Sequence, residues 1–123
     1  MPPAGWNLPP KDFTEPMKAL WNAVQRALRH QATWQASDVG CLERYVRAVA
    51  RATAAQAIVA KEGLTATGGR DQPVAHPAVR IARDAERDAA EYARDLLLTP
   101  RARHLAGLSE TSSMDDELAG LLS

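Results

Sequence analysis

The chain lacks what an enzyme or a secreted scaffold needs. One cysteine, Cys41, in 123 residues excludes a disulfide framework and any zinc site built from several thiolates, and it suits a reducing compartment. Aromatic residues are scarce, with three Trp, two Tyr and one Phe. These side chains bury the most area per residue, so a lone globule of this composition has a thin core. No run approaches the roughly 18 consecutive apolar residues of a membrane span. Met1-Pro2-Pro3-Ala4-Gly5-Trp6 has no basic region followed by an apolar stretch, so it does not read as a secretory signal. The expectation is a soluble cytoplasmic protein with no membrane partner. The length fits one domain, or a small domain and a tail, and excludes a multidomain enzyme.

Catalytic signatures are missing as well. There is no G-x-x-x-x-G-K-[ST] phosphate loop and no G-x-S-x-G elbow. His30, His76 and His104 fall in three different segments, none in a metal-ligand spacing. His76, directly before Pro77, reads as a helix-entry residue. Cys41 sits one turn inside a predicted helix and reads as a buried small hydrophobe. Asp115-Asp116-Glu117 has no rigid frame around it and reads as part of an acidic tail, not a cation site. The reading is a non-enzyme with no cofactor and no metal.

Alanine is what the chain has in abundance, 24 of 123 residues. It buries little area per residue but lets helices pack closely, so self-association is a natural source of the missing burial. Charge is balanced overall, 15 basic against 15 acidic residues, but not along the chain. Residues 1–106 hold every Lys and Arg and 11 acids, a net +4; residues 107–123 hold Glu110, Asp115, Asp116 and Glu117 and no base, a net −4. A mildly basic body with an acidic tail suggests an anionic partner for the first and a different partner for the second.

The order of elements follows from punctuation and periodicity. Residues 1–14 are an arm rich in proline, with Pro2, Pro3, Pro9 and Pro10. Thr14-Glu15-Pro16 opens a helix over about 15–30, in which Leu20, Ala23, Val24, Ala27 and Leu28 recur at helical spacing. Residues 31–36 connect it to a second helix, capped by Ser37-Asp38 and ended by Gly63. Its apolar stripe is Leu42, Tyr45, Val49, Ala52 and Val59, interrupted by Gln56. Gly68-Gly69 lies between two short β-capable runs and predicts a small hairpin or an extended loop over 63–76. Pro77 opens a third helix whose inner stripe is Val79, Ala82, Ala85 or Glu86, Ala89, Tyr92 and Leu96. Its other face pairs Arg80 with Asp84 and Arg87 with Glu91, which reads as a soluble outer face. Thr99-Pro100 starts a short fourth helix ended by Gly107. The fold class is therefore all-α, a helical hairpin core with a small β-hairpin or extended loop between helices two and three. Residues 15–106 are expected to form one helical domain, which self-associates and carries the basic surface for the anionic partner. The two long helices are expected to run antiparallel, and an oligomer core should contain the 42–59 and 79–96 stripes.

Two candidate sites follow. Arg44, Arg47 and Arg51 repeat at i, i+3, i+7 and place three guanidinium groups on one side of helix two. Lys18, Arg26 and Arg29 on helix one are the second cationic set. Side chains of this kind neutralise phosphates, and Arg can also read guanine edges. Pairing with acids of a neighbouring protomer, or plain solvation, would use the same stripe. In the tail, Met114, Leu118, Leu121 and Leu122 share one face beside Asp115, Asp116 and Glu117. Alone it is too short to be helical in water, so it reads as a docking peptide.

The run from the second helix onward resembles a known family. The pieces are Leu42-Glu43-Arg44-Tyr45, Lys61-Glu62-Gly63-Leu64, the turn at Gly68-Gly69, His76-Pro77-Ala78-Val79-Arg80-Ile81-Ala82, and Leu96-Leu97-Leu98-Thr99-Pro100-Arg101-Ala102-Arg103. In this order and spacing, over about residues 35–105, they look like the small terminase subunits of tailed double-stranded-DNA phages, of the type found in HK-like siphophages. Two positions depart from the family's usual pattern: Leu97 stands where a Gly is common, and Val46 where a Cys is common. The resemblance implies a non-catalytic protein of the host cytoplasm that assembles with itself into a ring. It implies binding to viral double-stranded DNA at the packaging-initiation site, and loading or stimulation of the large terminase subunit, which carries the ATPase and nuclease. Two rival readings remain at this level. One is a helix-turn-helix regulator using helices one and two; the other is a structural phage ring or adaptor that does not read DNA.

Overall fold

The computed structural model describes residues 6–31, 34–69 and 72–107. Its elements are α1 (Glu15–Leu28), a 3-10 turn (Ala36–Asp38), α2 (Val39–Glu62), β1 (Thr65–Thr67), β2 (Pro73–Ala75), α3 (Pro77–Asp95) and α4 (Pro100–Leu105). The all-α class with a β-hairpin between helices two and three is what forms. The strands pair antiparallel in the register Thr65 with Ala75, Ala66 with Val74 and Thr67 with Pro73.

Helix boundaries follow local chemistry, with two departures from expectation. Pro16 sits in the first turn of α1, but the Thr14 hydroxyl makes no capping bond; its carbonyl accepts the Lys18 N–H instead, at 2.9 Å. Asp38 does not cap α2 with its side chain. It turns back and accepts the Gln35 N–H at 3.0 Å, closing the 3-10 turn that leads into the helix. At the other end Gly63 stops α2 with φ 90, a backbone shape that a side chain resists. His76 caps α3 through its ring, which accepts the Ala78 N–H at 3.0 Å, and Thr99 caps α4 by accepting the Ala102 N–H at 3.1 Å.

α2 and α3 run antiparallel, as the cross-helix partners show. Glu62 meets His76, the Gln56 amide donates to Glu86, and Arg51 approaches Asp88, so residue numbers rise on one helix as they fall on the other. This pairing is made through alanine. Ala55, Ala78 and Ala82 form a cluster with Val59 packed against it, and Ala48, Ala52 and Ala85 are also buried. The second, larger cluster holds the big side chains: Phe13, Trp21, Val24, Leu28, Leu42, Val46 and Leu96. It joins the arm, α1, the start of α2 and the end of α3.

α2 therefore buries two faces, not the one stripe expected from its sequence. Leu42 and Val46 turn to the large cluster, while Ala48, Ala52 and Ala55 recur at i, i+4, i+7 on another side. Tyr45 and Val49 are only half-buried and Gln56 is exposed. The expected oligomer core changes for the same reason. Leu42, Ala52, Ala82, Ala85 and Leu96 are buried within one chain, while Tyr45, Val49, Val59, Val79, Ala89 and Tyr92 keep part of their surface, so the stripes are only partly used in folding the protomer.

The arm is not a free extension. Gln25 on α1 is fully buried, and its amide is matched by the arm's backbone: Asn7 N–H donates to Gln25 Oε1 at 2.9 Å, and Gln25 Nε2 donates to Asn7 O at 2.9 Å. The Trp21 indole N–H donates to the same carbonyl at 3.0 Å. A buried amide with both ends satisfied stabilises; one left unpaired costs about 1–3 kcal/mol. Phe13 then seats against Trp21 edge-on, ring centres 5.8 Å apart.

α3 ends in a Schellman turn. Leu98 N–H bonds Ala93 O at 2.8 Å and Leu97 N–H bonds Arg94 O at 3.0 Å. That turn puts Leu97 at φ 60, the left-handed region that glycine prefers. The Gln31 side chain donates to the carbonyls of Leu96 and Leu97 and ties the turn to the end of α1.

Two stability outcomes follow. Gln25→Leu removes the partner of the Asn7 N–H and leaves its carbonyl with the Trp21 indole alone, and is expected to lower unfolding free energy by about 1–3 kcal/mol in urea titrations. Leu97→Gly removes the left-handed strain and is expected to hold or raise the thermal midpoint. Leu96→Ala, one residue away, should lower stability by about 2–5 kcal/mol because it hollows the core.

Candidate nucleic-acid interface

The i, i+3, i+7 spacing does bring Arg44, Arg47 and Arg51 to one side of α2, yet their surroundings divide them. Arg47 is committed within the chain. Its guanidinium forks onto the Asp12 carboxylate (Nη1 to Oδ2 2.8 Å, Nη2 to Oδ1 3.1 Å), and its Nε donates to Glu43 at 3.2 Å. It also lies over the Phe13 ring, 4.9 Å from the centroid. The fork holds the Asp12 carboxyl below its ordinary value, and the Asp12 and Glu43 carboxylates push Arg47 further up. Arg47 thus fastens the arm to α2. Arg51 only grazes Asp88, at 4.0 Å, and Arg44 is exposed.

The helix-one set is similarly mixed. Lys18 reaches back to Glu15 at 3.4 Å, a loose surface pair. Arg26 is exposed on the last turn. Arg29 follows the helix and stacks over the Trp6 indole, 5.4 Å from its centroid. The tail residues Met114, Asp115, Asp116, Glu117, Leu118, Leu121 and Leu122 lie outside the described residues.

α3 carries a further cationic row, which alternating charge conceals in the sequence. Arg80, Arg83, Arg87 and Arg94 recur at i, i+3, i+7 and i+14 and share one side, the same signal that singles out α2. Arg80 and Arg87 are 81% and 70% exposed. Counting signs along the helix hides this row because the acids stand beside it, not within it.

The other chemistry-bearing side chains have structural tasks. His76 uses one ring nitrogen as the α3 cap and sets the other 3.1 Å from Glu62, joining the ends of α2 and α3. Cys41 is half-buried; burial raises its thiol pKa, with the Asp95 charge adding to this, so the thiolate needed for nucleophilic attack is disfavoured. Burial alone raises Tyr45. Among the described residues no group of His, Cys, Asp and Glu is placed to hold a metal ion, and no helix is long and apolar enough to cross a membrane. The link between α1 and α2 spans residues 29–38, longer than the three-to-four-residue turn of a helix-turn-helix.

A protein-family model described as "Phage terminase, small subunit" matches residues 18–112. No curated protein and no solved structure matches the chain. The match runs from the first turns of α1 past α4 and spans well over half of the chain; the protein belongs to the phage terminase small subunit family.

Proposed function

We propose that this small terminase subunit is of the HK-like siphophage type and works in the host cytoplasm as a non-catalytic homo-oligomeric ring. In this reading it recognises viral double-stranded DNA where packaging starts, and it recruits or stimulates the large terminase ATPase/nuclease. The observation that carries the proposal is the family match across residues 18–112. The cationic side chains of α1 and α2 support it. A ring repeats each exposed cation around its axis, so a modest charge per protomer becomes a strong collective field.

The six cations divide by task. Lys18, Arg26, Arg44 and Arg51 are loosely held or exposed, and they contact phosphate. Arg47 holds the arm through Asp12 and Phe13, and Arg29 holds Trp6, so both shape the surface the others occupy. The acidic tail, through Met114, Leu118, Leu121 and Leu122, docks onto the large subunit.

Salt titration of DNA binding tests the first part. Arg44→Ala and Arg51→Ala should weaken binding and flatten the log–log salt slope, by about 0.9 for each phosphate no longer neutralised. Unchanged affinity and slope in the double variant would remove these two residues from the interface. Deletion of residues 108–123 tests the second. The truncated protein should keep the solution mass of the full chain but lose stimulation of the large subunit's ATPase. Full stimulation by the truncated protein would defeat the docking role.

A further inference from the structure

The outward face of α3 is organised in rows. Arg80, Arg83, Arg87 and Arg94 form one; Asp84, Asp88, Glu91 and Asp95 recur at i, i+4, i+7, i+11 and form a second row beside it. Contacts between the rows within the chain are slack. Arg80 stands 3.9 Å from Asp84, and Arg87 stands 3.7 Å from Asp84 and 3.8 Å from Asp88, all beyond hydrogen-bond length. Each row has an apolar edge: half-buried Val79 flanks the arginines, and Ile81, 54% exposed, flanks the acids. The opposite side of α3 is already occupied by α2 through Ala78, Ala82 and Ala85. At the start of α3 lies an open groove of about 680 Å³, lined by the apolar Ala75, Pro77, Val79 and Ile81 together with His76 and the first charges of the rows, Arg80, Arg83 and Asp84.

We infer that this face of α3 is a self-docking surface whose occupant is the α3 of a second copy running parallel to it, the arginine row of one on the acidic row of the next. Charge complementarity identifies the occupant, because the chain carries both halves of the match on one helix. The geometry also selects the direction. When two copies of α3 lie face to face related by a two-fold axis across the helices, they run antiparallel and each row meets its own kind. Rotation about an axis along the helices leaves them parallel and brings unlike rows together, both rows at once for two copies and one row per neighbour in a ring. In that arrangement Ile81 of one copy lies about 3 Å along the axis from Val79 of the next, so the apolar edges fall on the same side of the contact. The inference rests on the proposed self-assembly and adds to it the contact helix and its orientation. Ala78, Ala82 and Ala85 are consumed inside the protomer, whereas Arg80, Arg83, Arg87 and Glu91 on this face are exposed and free to meet a neighbour's side chains.

Charge reversal with rescue tests it in the full chain. Arg83→Glu/Arg87→Glu makes both rows acidic, and Asp84→Arg/Glu91→Arg makes both basic. Circular dichroism and the thermal midpoint establish that each variant is folded. Light scattering behind a sizing column should show each variant at or near the 13.3 kDa of one chain, where the unaltered protein has a mass several times larger. An equimolar mixture of the two should recover the larger mass, and that mass should fall with added salt. The inference is overturned if the unaltered protein is monomeric, if folded reversal variants keep the assembled mass, or if the mixture stays dissociated. Loss of DNA binding with the assembled mass intact would also overturn it, by giving the rows to DNA. DNA binding measured in parallel separates this result from a failure of the proposed function.

Discussion

The structure depends on a contact made almost entirely of methyl groups. α2 and α3 meet through Ala55, Ala78 and Ala82, with Ala48, Ala52 and Ala85 buried along the same helices. Each methyl contributes about 0.8 kcal/mol, a fraction of what a leucine supplies. The hairpin therefore cannot be held by that contact alone, and other devices grip its two ends. At one end His76 bonds both the α3 backbone and Glu62, beneath a six-residue β-ladder. At the other, Trp21, Leu28, Leu42, Val46 and Leu96 supply the burial the alanines lack. A small-residue seam flanked by stronger end contacts explains why a chain with six aromatics puts most of them near α1.

The arm belongs to that second grip. Its backbone enters the core as the hydrogen-bonding complement of Gln25, and Phe13 fills the space beside Trp21. Arg47 then closes over the outside, with Asp12 and Glu43 on its guanidinium and the Phe13 ring beneath it. Charge, aromatic area and a buried amide act on the same short segment. A cation whose spacing suits a ligand is thus part of the fastening, and the residues on either side of it in the stripe, Arg44 and Arg51, are the ones left toward solvent.

Membership of the small terminase subunit family gives these features a common sense. On the proposed function, the subunit assembles and holds DNA, tasks that call for no catalytic constellation. It needs a protomer that folds with modest means and presents charge on its outside. α1 and α2 present scattered cations. α3 presents ordered rows of both signs, better suited to meeting a copy of itself than a uniformly anionic partner. The strained Leu97 fits the same economy: a turn that glycine would enter freely is held by the Gln31 amide and the Leu96 side chain, and so tolerates a leucine.

Much of the local structure was legible in the residues themselves. Pro16, Pro77, Thr99-Pro100, Gly63 and Gly68-Gly69 determined where helices and the hairpin begin and end, because each acts through its own φ, its missing donor or its nearest backbone groups. The cationic spacing on α2 was legible too, since helical geometry alone puts i, i+3 and i+7 together. The partners were not. Hydrophobic periodicity predicts that a helix has a buried side, but a helix with two neighbours buries two sides, and averaging them drew Tyr45, Val49 and Gln56 into one stripe. Nothing local says that Asp12 will find Arg47 across 35 positions, or that Gln25 will face Asn7. Short-range geometry belongs to the sequence. Which charges are spent inside the protomer and which are left outside is decided only when distant segments meet, because an ion pair or a buried amide has no energy until its partner arrives.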